Sequence, residues 1–246
     1  MTTVEKYQVK ELYAELRSKL DRDPLFTGDV EHMDTLLVGL PDTVEQLFVE
    51  TLHDAAQCYR YAAVLLMADL VRRFAPSQAF NLEGPMRVAS GEMVFFGGDL
   101  HVAGHLRLDH GAVLVVAGDV ELEGSFIGGE HSVLGVSGTM TARNAMTPGE
   151  MMVAQRLAIR ELVYLYRNDH SSLAPAVRCR LLVQNDGFNT LRKISAETQI
   201  DELLTEERPE RLQQVAVLLG LDAVESVEQL ESALCQRLID GANGAS

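Results

Sequence analysis

The chain has 246 residues, of which 47% are apolar, with 21 Lys or Arg against 36 Asp or Glu and a formal net charge of −15. This composition is typical of a folded globular protein and excludes extensive disorder. A protein that binds phosphates must neutralise them with Lys and Arg, so the charge disfavours nucleic acid and anionic membranes as direct ligands and favours a basic partner.

No segment predicts export, membrane insertion or a disulfide framework. The opening sequence MTTVEKYQVK lacks an apolar signal core, and the most apolar stretch, 61–71, is about half as long as the ~20 residues that a membrane helix requires. We therefore expect a cytoplasmic protein. Cys58, Cys179 and Cys235 are far apart and form no CxxC pair, so we expect reduced and mostly buried thiols.

The first 77 residues predict a helical region. Apolar residues recur at near-helical spacing over 4–20, and the pattern continues over 43–74 until it is broken before Pro76. A solenoid with open ends exposes unpaired strand edges. We therefore expect helical flanks such as this one to cover an open end of the repeat that follows.

A repeat of twenty residues occupies the middle of the chain. The segments GDLHVAG (98–104), GDVELEG (118–124) and GTMTARN (138–144) align at this offset. Downstream, Leu106 aligns with Phe126 and Met146, and the entry segment from Phe80 falls one period earlier. The alignment gives roughly three and a half turns between Phe80 and Met146.

Apolar residues alternate within each turn, as in Leu100 and Val102 or Val120 and Leu122, which indicates strands with one buried face. Glycines at equivalent positions allow close approach between stacked coils. The pattern predicts a short β-solenoid of about three coils. Alternation cannot separate parallel from antiparallel pairing, so a sequential antiparallel sandwich with Gly-rich turns stays open as an alternative.

The C-terminal region, 147–246, is predicted to be mostly helical and acidic. Thr147, Pro148 and Glu150 form a helix-start signal before a run that continues to about Asn168. A strand over 178–184 is followed by the turn signal Asn-Asp-Gly, and 196–239 predicts three short helices. From Glu197 to Asp240 there are eleven Asp or Glu against three Arg, which favours a negative surface or a solvated helical face.

Together these elements predict an α+β protein with a central short β-solenoid between helical segments. The predicted regions are 1–77, N-terminal and helical; 78–146, the β-solenoid; and 147–246, C-terminal, mostly helical and acidic.

The residues with catalytic or metal-binding potential form no recognisable site. His101 and His105 would lie about 13 Å apart on one strand, at ~3.3 Å per residue, unless the chain turns at Gly104. Ser137 has no general base in an identifiable setting and aligns with Gly97 and Ala117, which indicates a small-residue corner. We therefore predict no catalytic residue, no cofactor and no metal. A metal-dependent enzyme is the remaining catalytic alternative.

The GDL and GDV segments between short apolar strands resemble the polymer-forming solenoid proteins of the bactofilin type. The resemblance covers residues 80–146 and implies glycine-punctuated coils that stack into a β-helix and assemble end to end. This sequence departs from that family in its few coils and in the long helical segments on both sides, which as caps would obstruct end-on stacking.

The order of a helical N-terminal part, a Gly-Asp-Leu solenoid and an acidic C-terminal part also looks like that of bacterial immunity proteins, particularly those against type VI secretion DNase effectors. This likeness implies a cognate toxin domain as partner, with stoichiometric inhibition and no enzymatic activity. A basic nuclease cleft suits an acidic protein. The bactofilin-like scaffold, or a homo-oligomer, is the alternative. Six residues are predicted to bind the partner: Asp99, Asp119, Glu121, Glu123, Glu206 and Glu207.

Overall fold

The computed structural model describes residues 78–168, 172–187, 189–201, 204 and 207–240, together with five isolated helical positions: Glu11, Ala14, Glu15, Ser18 and Arg73. The helices predicted over 4–20 and 43–74, and their contact with an open end, otherwise lie outside the described residues. The described part forms sixteen strands: β1 Ala79–Leu82, β2 Met86–Val88, β3 Met93–Phe96, β4 Asp99–Val102, β5 Leu106–Leu108, β6 Val113–Val116, β7 Val120–Leu122, β8 Ser125–Gly128, β9 Val133–Val136, β10 Thr139–Thr147, β11 Glu150–Val153, β12 Arg156–Asn168, β13 Leu173–Ala174, β14 Val177–Gly187, β15 Thr190–Leu191 and β16 Ile194–Asp201. It also forms two helices: α1 Pro209–Leu218 and α2 Val227–Asp240.

All the strand pairings in the described residues are parallel and join one coil to the next. Ala79 pairs with Asp99, and Leu100 pairs with Val120. The strands form a parallel β-solenoid of about six turns from Ala79 to Asp201, and 50% of the described residues are in strands. The predicted solenoid is confirmed and the antiparallel sandwich is excluded. The prediction of an α+β fold with about three coils between helical segments is wrong, because the coils continue far beyond Met146.

The coils after residue 146 escaped the repeat alignment because their length changes. Met140 pairs with Leu157, seventeen residues later, Leu157 pairs with Val177 at twenty, and Val177 pairs with Ile194 at seventeen. Equivalent residues of these later coils are therefore not separated by a constant twenty positions in the sequence. The helix predicted over 147–168 is instead the strands β11 and β12, whereas the strand predicted over 178–184 is present within β14.

A continuous apolar core fills the inside of the solenoid. Successive coils place Leu100, Val120, Met140, Leu157 and Val177 in register, each with 0–1% of its surface exposed. Parallel strands supply hydrogen bonds between coils that one coil could not satisfy alone.

A one-residue change of register in β10 turns Met146 outward. Val120 pairs with Met140 at an offset of twenty, but Phe126 pairs with Ala145 at nineteen. Because side chains alternate between faces with a period of two, a slip of one residue exchanges the inner and outer sets. Met146 therefore belongs to an outer cluster rather than to the core with Phe126, contrary to the sequence alignment.

The outer cluster joins helices α1 and α2 to one wall of the solenoid. The outward positions of this wall are Arg87 and Arg107 in the first coils and apolar residues thereafter: Ile127, Met146, Tyr164, Val183 and Ile200. Buried side chains of both helices pack on the later positions, among them Leu212, Val215, Leu230 and Leu234. The described helices thus cover a side wall, and they number two rather than the three predicted, because 196–201 belongs to strand β16.

Within the described residues, no helix combines the length and the apolar character that crossing a bilayer would require. The two helices bury Leu212, Val215, Leu230 and Leu234 against the solenoid wall, whereas Val217 and Leu218 of α1 are exposed.

Candidate interaction surfaces

The repeated aspartates bind backbone groups of the following coil. The Asp119 N–H donates to Asp99 Oδ1 at 2.8 Å, and the Thr139 N–H donates to Asp119 Oδ1 at 2.7 Å. Both Asp99 and Asp119 are exposed residues. Each carboxylate therefore stabilises the turn above it, which is a structural role. Their predicted contact with a partner stays a prediction.

The glycines that stack on these aspartates in the next coil, Gly118 on Asp99 and Gly138 on Asp119, are required by the same arrangement. A Cβ on Gly138 would lie 2.0 Å from Asp119 Oδ1, and one on Gly118 would lie 2.4 Å from Asp99 Oδ1. No side chain fits at such distances. The Gly-Asp repeat is thus one interlocking unit, in which the carboxylate occupies the space that the next glycine leaves open.

Glu121 lies on the outer face of β7 and Glu123 directly follows this strand, with 70% and 66% of their side chains exposed. His101 stands opposite Glu121 in the parallel register, with its Nδ1 3.5 Å from Glu121 Oε2 and its Nε2 4.0 Å from Glu123 Oε1. The two carboxylates are therefore brought together on an open surface. Glu207 is exposed just before α1, and Glu206 lies outside the described residues.

Residues 207–240, which we call the acidic helical segment, carry seven Asp or Glu against three Arg. Six of the seven acidic residues are exposed: Glu207, Glu210, Asp222, Glu225, Glu228 and Asp240. One of the arginines, Arg237, is used inside the segment, since its Nη1 donates to the carbonyl oxygens of Leu219, at 2.7 Å, and Gly220. This contact ties α2 to the end of α1. The segment therefore presents a net negative surface on a packed support.

A different wall of the solenoid carries a groove of about 1050 Å³. Its lining includes Arg160, Arg178 and Arg180 on β12 and β14, and we call it the arginine groove. Glu121 and Glu123 line the side towards the earlier coils, and Glu197 on β16 lines the other side. Arginine is concentrated here in a chain that is strongly acidic as a whole.

The histidines of the solenoid are used separately. His105 Nδ1 accepts the Ser125 N–H at 3.0 Å, and burial lowers the pKa of this imidazole. The rings of His110 and His131 meet edge to face with centroids 5.2 Å apart. In the part of the chain that the structure describes, no three His, Cys, Asp or Glu side chains are grouped to hold a metal ion.

The described thiols lie in apolar surroundings. Cys179 is buried in the solenoid core, where burial raises the pKa of its thiol to about 11. Burial also raises the pKa of Cys235, with a smaller opposing effect from Arg107. A raised pKa lowers the thiolate fraction, so neither group has the character of an activated nucleophile.

The arginine groove was not predicted from the sequence, although a signal for it exists. Arg178 and Arg180 flank the inward residue Cys179, and Arg160 follows the inward residue Ile159. This alternation is the period-2 pattern of an exposed strand face. The groove is not identified from the sequence because a helix is predicted for the segment that contains Arg160. In a helix, alternate residues do not lie on one face.

Comparison of this protein with family models, with curated proteins and with solved structures found no match. The geometry of the described residues is therefore the basis for the functional proposal.

Proposed function

We propose that this protein acts by stoichiometric protein–protein contact, as an immunity protein that neutralises a basic toxin domain, with a nuclease as the preferred partner. The observation that supports the proposal is the acidic helical segment, whose exposed carboxylates are held by two helices packed on the solenoid wall. A nuclease binds phosphates through Lys and Arg, so its cleft is complementary to such a surface.

The expected mode of action is electrostatically steered association followed by occlusion. Charge of opposite sign on two partners raises the association rate, and this contribution falls steeply as salt is added. The packed helices keep the carboxylates in place before binding, which lowers the ordering cost on association. We propose Glu121 on β7 and Glu123 just after it, both exposed, as a second acidic contact region.

The first test is to purify the tagged full-length protein from its native cells and to identify co-eluting proteins by mass spectrometry. A basic nuclease-like domain in a defined complex supports the proposal, and inhibition of its activity at a one-to-one ratio establishes neutralisation. Recovery of the chain without a basic partner contradicts it.

Charge reversal then tests the assigned surface. We expect Asp222→Lys with Glu225→Lys to lower the association rate at least about tenfold at low salt and to flatten its salt dependence. Glu83→Lys with Glu92→Lys, on two exposed residues of the first coil, changes the net charge by the same amount and is the control; it should have a much smaller effect. Equal effects of the two variants would show that only overall charge matters and would refute the assignment to the helical segment.

Assembly of the bactofilin type is the second candidate, because one observation favours it. The described helices lie on a side wall, and the terminal strands, β1 and β3 at one end and β15 and β16 at the other, each pair on one side only among the described strands. Open edges of this kind accept a further coil from another molecule. Light scattering over a dilution series tests this candidate, since assembly requires the mass to grow with concentration, and a constant monomer mass excludes it.

A further inference from the structure

We propose that the arginine groove is a binding site for an extended acidic peptide segment whose acidic residues occupy alternate positions. This inference does not rest on the toxin proposal, because its partner has the opposite charge and its main contacts are Arg178 and Arg180. The groove shares Glu121 and Glu123 with the second acidic contact region of the toxin proposal.

The guanidinium groups of Arg178 and Arg180 are available to a ligand. Both residues are exposed, and among the described residues no hydrogen-bond or ion-pair partner within 4.0 Å is recorded for either. Glu197 occupies the register position opposite Arg180, yet it forms no such ion pair with it. By contrast, the nearby Arg143 forms an ion pair with Glu161, with 3.0 Å between Arg143 Nε and Glu161 Oε1.

The strands on either side leave room above Arg178. In the parallel register, Ala158 of β12 and Ser195 of β16 lie directly beside it. Both neighbours have short side chains, so they do not cover the guanidinium group of Arg178. Arg160 lies on the same outer face of β12, and its Nη2 donates to the carbonyl oxygen of Glu123 at 3.1 Å, which holds it at the side of the groove towards the earlier coils.

The spacing of the two free guanidinium groups matches an extended chain. Residues two apart on one strand project from the same face about 6.6 Å apart, at ~3.3 Å per residue. An extended peptide lying along β14 presents alternate side chains at the same interval. Carboxylates at those positions can each form the paired hydrogen bonds that planar guanidinium groups favour. An acidic peptide is favoured over nucleic acid because the net charge of −15 repels a long polyanion but leaves a short acidic segment able to reach the groove.

The test measures binding of a fluorescein-labelled peptide of four Glu-Ser repeats to the full-length protein by fluorescence anisotropy at ~150 mM salt. We expect saturable binding that Arg178→Ala with Arg180→Ala weakens about tenfold or more, since two charge-assisted contacts are lost. The control removes two positive charges from exposed residues outside the groove, by Arg107→Ala with Arg208→Ala, and should leave the dissociation constant within about twofold. A peptide with the same composition but four consecutive Glu residues should bind several-fold more weakly.

Three results would overturn the proposal: no saturable binding, equal loss of affinity in both double variants, or tighter binding of an eight-nucleotide single-stranded DNA than of the peptide. The variant Arg178→Lys with Arg180→Lys keeps both positive charges. It provides a second measurement in case the alanine variant does not fold. It should bind with intermediate affinity because an ammonium group lacks the planar fork. Affinity equal to that of the unchanged protein would contradict recognition by guanidinium geometry.

Discussion

The interlocking of Asp119 with Gly138 predicts a measurable coupling between two substitutions. Asp119→Ala removes the acceptor of the Thr139 N–H at 2.7 Å, and hydrogen bonds to charged groups contribute about 1.5–3 kcal/mol. Because Asp119 is exposed, we expect the lower end of that range. Asp119→Asn keeps a neutral acceptor and should cost about half as much.

Gly138→Ala introduces a Cβ that would lie 2.0 Å from Asp119 Oδ1 and 2.8 Å from the carbonyl oxygen of Gly118. Forcing the carboxylate away breaks its hydrogen bond to Thr139 and adds overpacking, so we expect a loss of about 2–4 kcal/mol. When Asp119→Ala is already present, the nearest obstacle is gone and only the backbone contact remains. The double variant should therefore be about 1–2 kcal/mol more stable than the sum of the single losses predicts.

The assay is urea unfolding followed by far-UV circular dichroism, since the chain contains no Trp to serve as a fluorescence probe. The control is Gly84→Ala, because no heavy atom lies within 4 Å of a Cβ at that position. It should change the unfolding free energy by less than about 0.5 kcal/mol. Additivity of the Asp119 and Gly138 substitutions, within the usual ~0.5 kcal/mol, would refute the interlocking arrangement.

Three further predictions concern ionisation and packing. A hydrogen bond from Arg87 lowers the pKa of Asp109, so the ionised carboxylate stabilises the folded state fully above the unfolded pKa of about 3.9, and this stabilisation is lost as the pH falls through the lower folded pKa. In urea unfolding, the difference in unfolding free energy between the protein and Asp109→Asn should therefore become smaller below about pH 4. A difference that does not change with pH would contradict this. Tyr164 is 0% exposed between the solenoid wall and the helices, so Tyr164→Ala should lower the unfolding free energy by about 3–5 kcal/mol and make α1 and α2 susceptible to limited proteolysis. The control Val217→Ala, at a residue that is 65% exposed, should change neither measurement appreciably. With a pKa of about 11, Cys179 is thiolate in only ~0.1% of molecules at pH 8, so mass spectrometry should find it unlabelled by iodoacetamide in the native protein and labelled in urea; rapid native labelling would refute its burial.

The amino-acid sequence alone was sufficient to predict a solenoid and to identify which residues of its first coils occupy equivalent positions. Repeated Gly-Asp pairs at a constant offset of twenty, together with alternating apolar residues, were sufficient because equal coils stack equal positions. The structure confirmed this for Leu100, Val120 and Met140, which lie in register inside the core. The acidic character of the C-terminal segment was also visible in the sequence, because charge is a property of composition.

The end of the solenoid could be located only in the tertiary structure. Coils of seventeen and twenty residues stack on one another there, so no constant sequence period reveals the later coils. In β12 both faces of the strand are apolar from Leu162 to Tyr166, with Val163 inside and Tyr164 under the helices. This run therefore has apolar residues at helical as well as strand spacing. Periodicity could not separate those two structures. Parallel pairing between coils decided the outcome, and with it the outward direction of Met146, the side wall that receives α1 and α2, and the arginines that meet in the groove.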